Sequence, residues 1–105
     1  MKLRKRPLTH PGGILQRNYI DQSVVTLSQL ADILGLPEET VSEVANERAP
    51  VTADTALRFS RAFNTSPDLW LNMQQYYDLW HAANDSKEWE RIQPVILSES
   101  PVLQV

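Results

Sequence analysis

Two short helical segments that meet at a single glycine constrain the fold of this chain more than any other feature. The first segment, LSQLADIL, follows Thr26, and Gln29 three positions later can complete a capping box with it. Gly35 stands where a left-handed residue ends a helix at little cost, and Pro37 suits the start of the second segment. Apolar residues recur at helical spacing in both segments: Leu27, Leu30, Ala31 and Leu34, then Val41, Val44 and Ala45. Two helices joined by so short a turn predict a helix-turn-helix that binds DNA, and an ordinary αα-hairpin in a helical bundle is the alternative.

The remainder of the chain also has mostly helical patterns. Pro11 suits the first position of a helix over roughly residues 11–21. Thr52 and Ser66 suit the N-caps of a fourth helix and of a fifth helix over roughly residues 67–83. Beyond that helix, NDSKEWERIQP has no regular pattern, and the β-branched residues of VILSESPVLQV allow one short strand.

These elements predict an all-α chain with one domain, as its 105 residues also suggest. The predicted parts are a flexible basic arm over 1–9, a helix-turn-helix domain over 10–83 and a C-terminal tail over 84–105. The arm, which contains MKLRKR, is either a solubilising segment or a binding segment.

Composition excludes several classes of protein and argues against others. The chain has no cysteine, which excludes disulfides, thiol catalysis and thiolate metal sites and suits a reducing cytoplasm. We expect no signal peptide, because PLTHPGG and not an apolar run follows MKLRKR. We expect no membrane span, because no stretch approaches the ~18 apolar residues that a span needs.

Nothing in the sequence indicates an enzyme, a metal site or a cofactor. There is no Gly-rich phosphate loop and no nucleophile paired with a base. His10 and His81 lie far apart and lack ligand-spaced partners. We interpret His10 as a helix-entry residue and His81 as a surface or interface residue.

The charge of the chain does not match that of a general nucleic-acid binder. The net charge is −3 and the pI is about 5.3. The second helix of the pair is predicted to carry Glu38, Glu39, Glu43 and Glu47, with no Lys or Arg before Arg48. Affinity for phosphate would then come from the arm, from Arg48 and from main-chain N–H groups, while the acidic helix would discriminate between DNA sites more than attract DNA. A solvated acidic face is the alternative.

Three segments in a fixed order carry a resemblance to a known family: HPGGIL at 10–15, LADILGLPEETVSEVANERAPVTADTALRFSRAF at 30–63 and TSPDLWLNMQ at 65–74. Together they resemble the HigA-type antitoxins, Cro/repressor-like helix-turn-helix proteins of toxin–antitoxin modules, over about residues 7–83. The resemblance implies a five-helix lambda-repressor-like DNA-binding domain that forms a homodimer and represses its own operon from a palindromic operator. It also implies neutralisation of a cognate RelE-like, mRNA-cleaving toxin in the cytoplasm.

The resemblance places phosphate contacts at the start of the second helix and base contacts on the third. With two residues of the arm added, the predicted DNA-binding residues are Thr26, Leu27, Ser28, Gln29, Glu38, Glu39, Thr40, Ser42, Glu43, Asn46, Arg48, Lys5 and Arg6. The sequence departs from the family pattern, because such helices more often carry Arg, Lys, Gln or Asn where Glu38 and Glu39 stand. We further expect Glu39, Glu43 and Glu47 to share one helical stripe and to repel one another mildly.

Two further sets of residues are predicted outside the helix pair. Asp54, Arg58 and Arg61 share the fourth helix, where an ion pair is their expected use. The fifth helix has more large apolar residues than one inward face needs, so we predict a dimer interface at Tyr76, Leu79 and Trp80. The rivals to an antitoxin and autorepressor are a toxin-binding module with little DNA binding and a free-standing phage-type repressor.

Overall fold

The computed structural model describes residues 10–96, and five helical regions follow one another along them. The helices are α1 (Pro11–Ile14), which continues into a π-helical segment (Leu15–Ile20), then α2 (Leu27–Leu34), α3 (Glu38–Ala45), α4 (Ala53–Phe63) and α5 (Pro67–Asp85). A 3-10 turn, Glu88–Arg91, follows α5. The all-α fold class is therefore confirmed, and residues 10–96 contain no strand. The predicted arm and the part of the predicted tail and strand beyond residue 96 lie outside the described residues.

The predicted N-caps begin the helices as expected. The hydroxyl oxygens of Thr26, Thr52 and Ser66 accept hydrogen bonds from main-chain N–H groups two or three residues ahead, at 3.1, 3.3 and 3.1 Å. Each bond satisfies a donor that has no partner within its helix. His10, predicted to be a helix-entry residue, caps α1 in the same way, because its Nδ1 accepts from the N–H of Gly12 at 2.9 Å.

Three helix boundaries differ from the predicted ones. The first helix loosens after Ile14 into a π-helical segment. Pro37 is the N-cap of α3 and not its first residue, because its backbone is extended. Helix α5 runs to Asp85, two residues beyond the prediction, since Asn84 Nδ2 donates to the Trp80 carbonyl and Lys87 Nζ and Trp89 Nε1 donate to the Ala83 carbonyl. These side chains satisfy carbonyls that the end of a helix leaves free.

One apolar core lies between the helices. Its buried members include the inward residues predicted for the helix pair except Leu27, which is half-buried, together with Leu15, Val51, Ala56, Phe59 and Trp70. The rings of Phe59 and Trp70 meet edge to face, with centroids 5.0 Å apart. On α4, Leu57 and Ala62 face solvent. None of the helices in residues 10–96 is long and apolar enough to cross a membrane.

Candidate nucleic-acid interface

The amino end of α2 is an open cluster of donors. Thr26 and Gln29 form the predicted capping box, with Thr26 N donating to Gln29 Oε1 at 2.9 Å. Thr26, Ser28 and Gln29 are exposed, whereas Leu27 is half-buried against the core. Within residues 10–96, the N–H groups of Leu27 and Ser28 have no hydrogen-bond acceptor. A helix end of this kind, with free N–H groups and a positive dipole end, favours anions such as phosphate.

The turn between α2 and α3 is built around Gly35. Its φ is +67°, in the left-handed region, as predicted. The guanidinium of Arg58 lies over this turn, and Nη1 donates to the carbonyls of Leu34 and Gly35 at 2.8 and 3.1 Å. The same side chain forms the predicted ion pair, Nε to Asp54 Oδ2 at 2.8 Å. The end of α2 and the turn that leads to α3 are thus tied to α4.

The inward face of α3 is held from the opposite side by α1. Val41, Val44 and Ala45 are buried, as predicted. Gly12 lies so close to α3 that a Cβ built on it would overlap the main-chain carbonyl of Val44. Only glycine permits this approach, so the position of α3 depends on a residue that lies 32 positions earlier than Val44.

The outward face of α3 carries the predicted base-reading side chains. Glu38, Glu39, Thr40 and Asn46 are exposed, as is Arg48 just beyond the helix, while Ser42 and Glu43 are half-buried. Asn46 Nδ2 donates to Ser42 Oγ at 3.2 Å, which brings these two predicted residues together.

The carboxylates of α3 have no cation partner in the described part of the chain. Within residues 10–96, Asp54 and Arg58 form the one ion pair. Glu38 and Glu39 occupy the first turn of α3, whose N-cap supplies no side-chain hydrogen bond. Negative charge at that end stabilises a helix by roughly 0.3–1 kcal/mol per residue. These two glutamates therefore have a local structural reason to be acidic, and Glu43, near the other end, does not.

One expectation about this surface is wrong. Glu47 does not continue a stripe with Glu39 and Glu43, because α3 ends at Ala45 and Glu47 has φ +63°. The negative charge of its carboxylate instead raises the pKa of the buried His10 imidazole in part. Burial outweighs this effect and the similar effect of Asp78, so the pKa of His10 lies below its ordinary value.

Two positions important to this geometry were not found from the sequence. The spacing of Arg58 from Asp54 predicted their ion pair. The hydrogen bonds of Arg58 to the turn were not predicted, because they join residues 23 and 24 positions apart. The contact of Gly12 with α3 is also long-range, and the HPG segment was its only signal. Arg61, the third charged residue predicted for α4, is exposed and forms no ion pair within residues 10–96.

The predicted dimer residues lie on the second half of α5. Tyr76 and Leu79 are 53% and 36% exposed, and Trp80 is half-buried with its ring 5.2 Å from that of His81. An open, mostly apolar groove of about 420 Å³ lies beside them and is lined by Val51, Leu71, Gln74, Gln75, Asp78, Leu79 and Ala82. In residues 10–96, no cluster of His, Asp and Glu could hold a metal ion.

Two amphipathic helices, joined by a left-handed glycine and packed against α1 and α4, define a helix-turn-helix domain of the DNA-binding type. A family model described as helix-turn-helix matches residues 21–70. The uncharacterized HTH-type transcriptional regulator YbaQ of Escherichia coli strain K12 is 33% identical over 92 residues, which are 88% of this chain and 81% of YbaQ. Antitoxin HigA-1 of Vibrio cholerae is 30% identical over 98 residues, 92% of this chain and 91% of HigA-1. The chain belongs to the HigA family of helix-turn-helix antitoxins.

A solved structure of a relative contains DNA. Antitoxin HigA of Pseudomonas aeruginosa with the higBA promoter superposes with a TM-score of 0.73 at 33% identity, over 87% of this chain and 100% of that one. The agreement extends over nearly the whole described chain and is not confined to the helix pair.

Proposed function

We propose that this protein binds a palindromic operator of its own operon as a homodimer, represses that operon, and neutralises a cognate RelE-like, mRNA-cleaving toxin. The observation that carries the DNA-binding part is the geometry of the helix pair. The free N–H groups at the start of α2 and the polar face of α3 are exposed and held in one fixed relation by the turn at Gly35. The relative with the higBA promoter supports the same use of this fold.

In the proposed complex, α2 and α3 have different roles. The N–H groups of Leu27 and Ser28, with the side chains of Thr26 and Gln29, contact phosphate, as helix amino ends do. Helix α3 lies in the major groove, where a glutamate can accept from cytosine N4 and the amide of Asn46 can pair with adenine. Arg48 and the arm residues Lys5 and Arg6 add phosphate contacts, doubled in a dimer.

The experiment that tests DNA binding compares two duplexes at one salt concentration. One is the sequence upstream of the gene, and the other is the same composition in shuffled order. We expect the upstream duplex to bind at least about a thousandfold more tightly, the usual lower range for specific recognition. Equal affinities would contradict operator recognition.

A second candidate function is toxin binding with little DNA recognition. The unpaired carboxylates of Glu38, Glu39 and Glu43 favour it, because they make the outward face of α3 repel phosphate. Under this alternative, the protein would show no preference for the upstream duplex yet would still bind the toxin.

The toxin part of the proposal requires its own test. We expect the product of the adjacent reading frame, expressed alone, to arrest growth and mRNA translation. Co-expression of this protein should restore growth. The two proteins should also purify together from the cytoplasm, where the operator and the toxin lie. Restored growth without a stable complex would contradict neutralisation by binding and favour a free-standing repressor.

The dimer part of the proposal rests on the apolar second half of α5. Tyr76, Leu79 and the adjacent groove leave apolar area exposed that a second copy could cover. Leu79→Gln and Trp80→Gln should shift the protein toward monomer in sedimentation. Leu69→Gln changes an exposed apolar residue at the other end of α5 and should leave the dimer intact. A wild-type protein that is monomeric at tens of micromolar would contradict this interface.

A further inference from the structure

We infer that Arg58 is a positioning residue for DNA recognition, which it performs without touching DNA, by fixing α3 relative to α2; this inference rests on the proposed operator binding. Three hydrogen bonds converge on its guanidinium. Nη1 donates to the carbonyls of Leu34 and Gly35, and Nε donates to Asp54. One side chain of α4 therefore holds the two residues at which the chain changes direction between α2 and α3.

The turn has a shape that accepts this side chain. A Cβ on Gly35 would lie 3.1 Å from Arg58 Nη1, so the absence of a side chain at that position leaves room for the guanidinium. The carbonyls at the end of α2 lack partners within their helix and carry the negative end of its dipole. A planar cation with several donors suits such a site, because it can bind two carbonyls and a carboxylate together.

The ion pair with Asp54 contributes little stability by itself. The side chains of Arg58 and Asp54 are 38% and 67% exposed, and an exposed ion pair of this spacing contributes at most about 1 kcal/mol. The more important consequence of the three hydrogen bonds is that they hold the turn in one geometry. Operator binding requires the start of α2 on phosphate and α3 on base edges at the same time, so a small rotation at the turn separates the two sets of contacts.

Asp54 provides the sharpest test, because two explanations predict opposite results. If Asp54 acted only through its charge, Asp54→Asn would remove a negative charge and tighten binding to every duplex. If Asp54 orients the guanidinium, Asp54→Asn loosens the turn, and affinity for the operator falls relative to affinity for random DNA. The measured quantity is the ratio of the two affinities at fixed salt, with circular dichroism confirming that each variant is folded at the working temperature.

Arg58→Gln should lower the operator-to-random ratio on the order of tenfold, comparable to the effect of one mismatched base pair. Arg58→Lys should retain part of the ratio, because an ammonium can still donate to a carbonyl but lacks the planar fork. The matched control is Arg61→Gln, which removes the same charge one turn further along α4 from an exposed residue without an ion pair in residues 10–96. It should lower both affinities equally, if at all, and leave the ratio unchanged.

The outcomes separate this inference from the proposed function. A ratio that is unchanged in both Asp54→Asn and Arg58→Gln, or that falls equally in Arg61→Gln, would overturn the positioning role while operator binding by the wild type stands. A wild-type protein that does not distinguish the two duplexes would overturn operator recognition itself, and the inference with it.

Discussion

Helices α2 and α3 of the helix-turn-helix offer DNA opposite chemistry. Helix α2 presents free N–H groups and neutral polar side chains at its amino end. Helix α3 presents carboxylates that have no cation partner within residues 10–96. The amino end of α2 attracts phosphate whatever the DNA sequence is. The outward face of α3 repels phosphate unless a base edge supplies a donor.

Under the proposed function, this difference lets an acidic protein bind a polyanion selectively. If attraction comes from α2, Arg48 and the arm, the carboxylates of α3 are free to penalise wrong sequences more than they weaken binding to the right one. Such selective binding depends on α2 and α3 keeping their relative position. Helix α1 contacts α3 closely at Gly12, and Arg58 of α4 donates to the end of α2 at the turn.

The largest effect is expected from Gly12→Ala, which disturbs α3 and leaves the amino end of α2 untouched. The new methyl group would overlap the carbonyl of Val44, so α1 and α3 must move apart. Overpacking of this kind costs about 3 kcal/mol or more where backbone is the obstacle. Thermal unfolding should therefore begin at least about 10 °C lower.

Gly13→Ala is the matched control for that change. Its Cβ would meet Arg17 Nη1 at 2.9 Å, and this is the far end of a flexible side chain that can move away. We expect a neutral or slightly stabilising effect, since alanine favours a helix over glycine by up to about 1 kcal/mol. Equal destabilisation by both alanines would show that the approach of α1 to α3 is not specific to Gly12.

A smaller effect is expected from deleting residues 1–6, which removes Lys2, Arg4, Lys5 and Arg6. If the arm supplies attraction alongside α2, the slope of log affinity against log salt should decrease by up to ~0.9 for each phosphate that the arm neutralises. The operator-to-random ratio should hardly change, because phosphate contacts carry no sequence information. Arg91→Gln, which removes one positive charge beyond α5, should leave the slope as it is. An unchanged slope after the deletion would assign the arm another role, such as toxin binding.

The smallest effect is the pH dependence of stability that His10, the N-cap of α1, contributes. Burial lowers the pKa of His10 below 6.5, although Glu47 and Asp78 raise it in part. The unfolded chain therefore binds this proton more readily than the folded one. The corresponding stability is fully present above pH 6.5 and is lost as the pH falls through the lowered pKa.

His10→Gln tests this pH dependence. Glutamine keeps an acceptor for the N–H of Gly12 but does not titrate. Chemical denaturation at pH 7.5 and at lower pH should show a smaller loss of stability on acidification in the variant than in the wild type. Identical losses would mean that His10 does not titrate differently on folding.

Local chemistry made much of the fold predictable, whereas long-range contacts did not. The capping box of Thr26 and Gln29 and the left-handed Gly35 depend on neighbours within a few residues, and all appear as predicted. The close approach of Gly12 to Val44 and the bonds of Arg58 to the turn depend on how distant elements pack. Such contacts leave no periodic pattern in one sequence, so the residues that position the site were harder to find than the residues that form it.

The central claim is that the carboxylates of α3 discriminate between DNA sites, and Glu39→Gln tests it most directly. The substitution keeps the shape of an exposed side chain, removes its charge and adds donors. Affinities for operator and random duplexes are measured at one salt concentration, with Glu88→Gln in the 3-10 turn as the control for loss of one negative charge. We predict tighter binding to random DNA and a smaller gain or a loss on the operator, so that the specificity ratio falls by about 1–3 kcal/mol. Equal gains on both duplexes would contradict the claim and reduce Glu39 to a nearby charge, and no change on either would place α3 outside the groove.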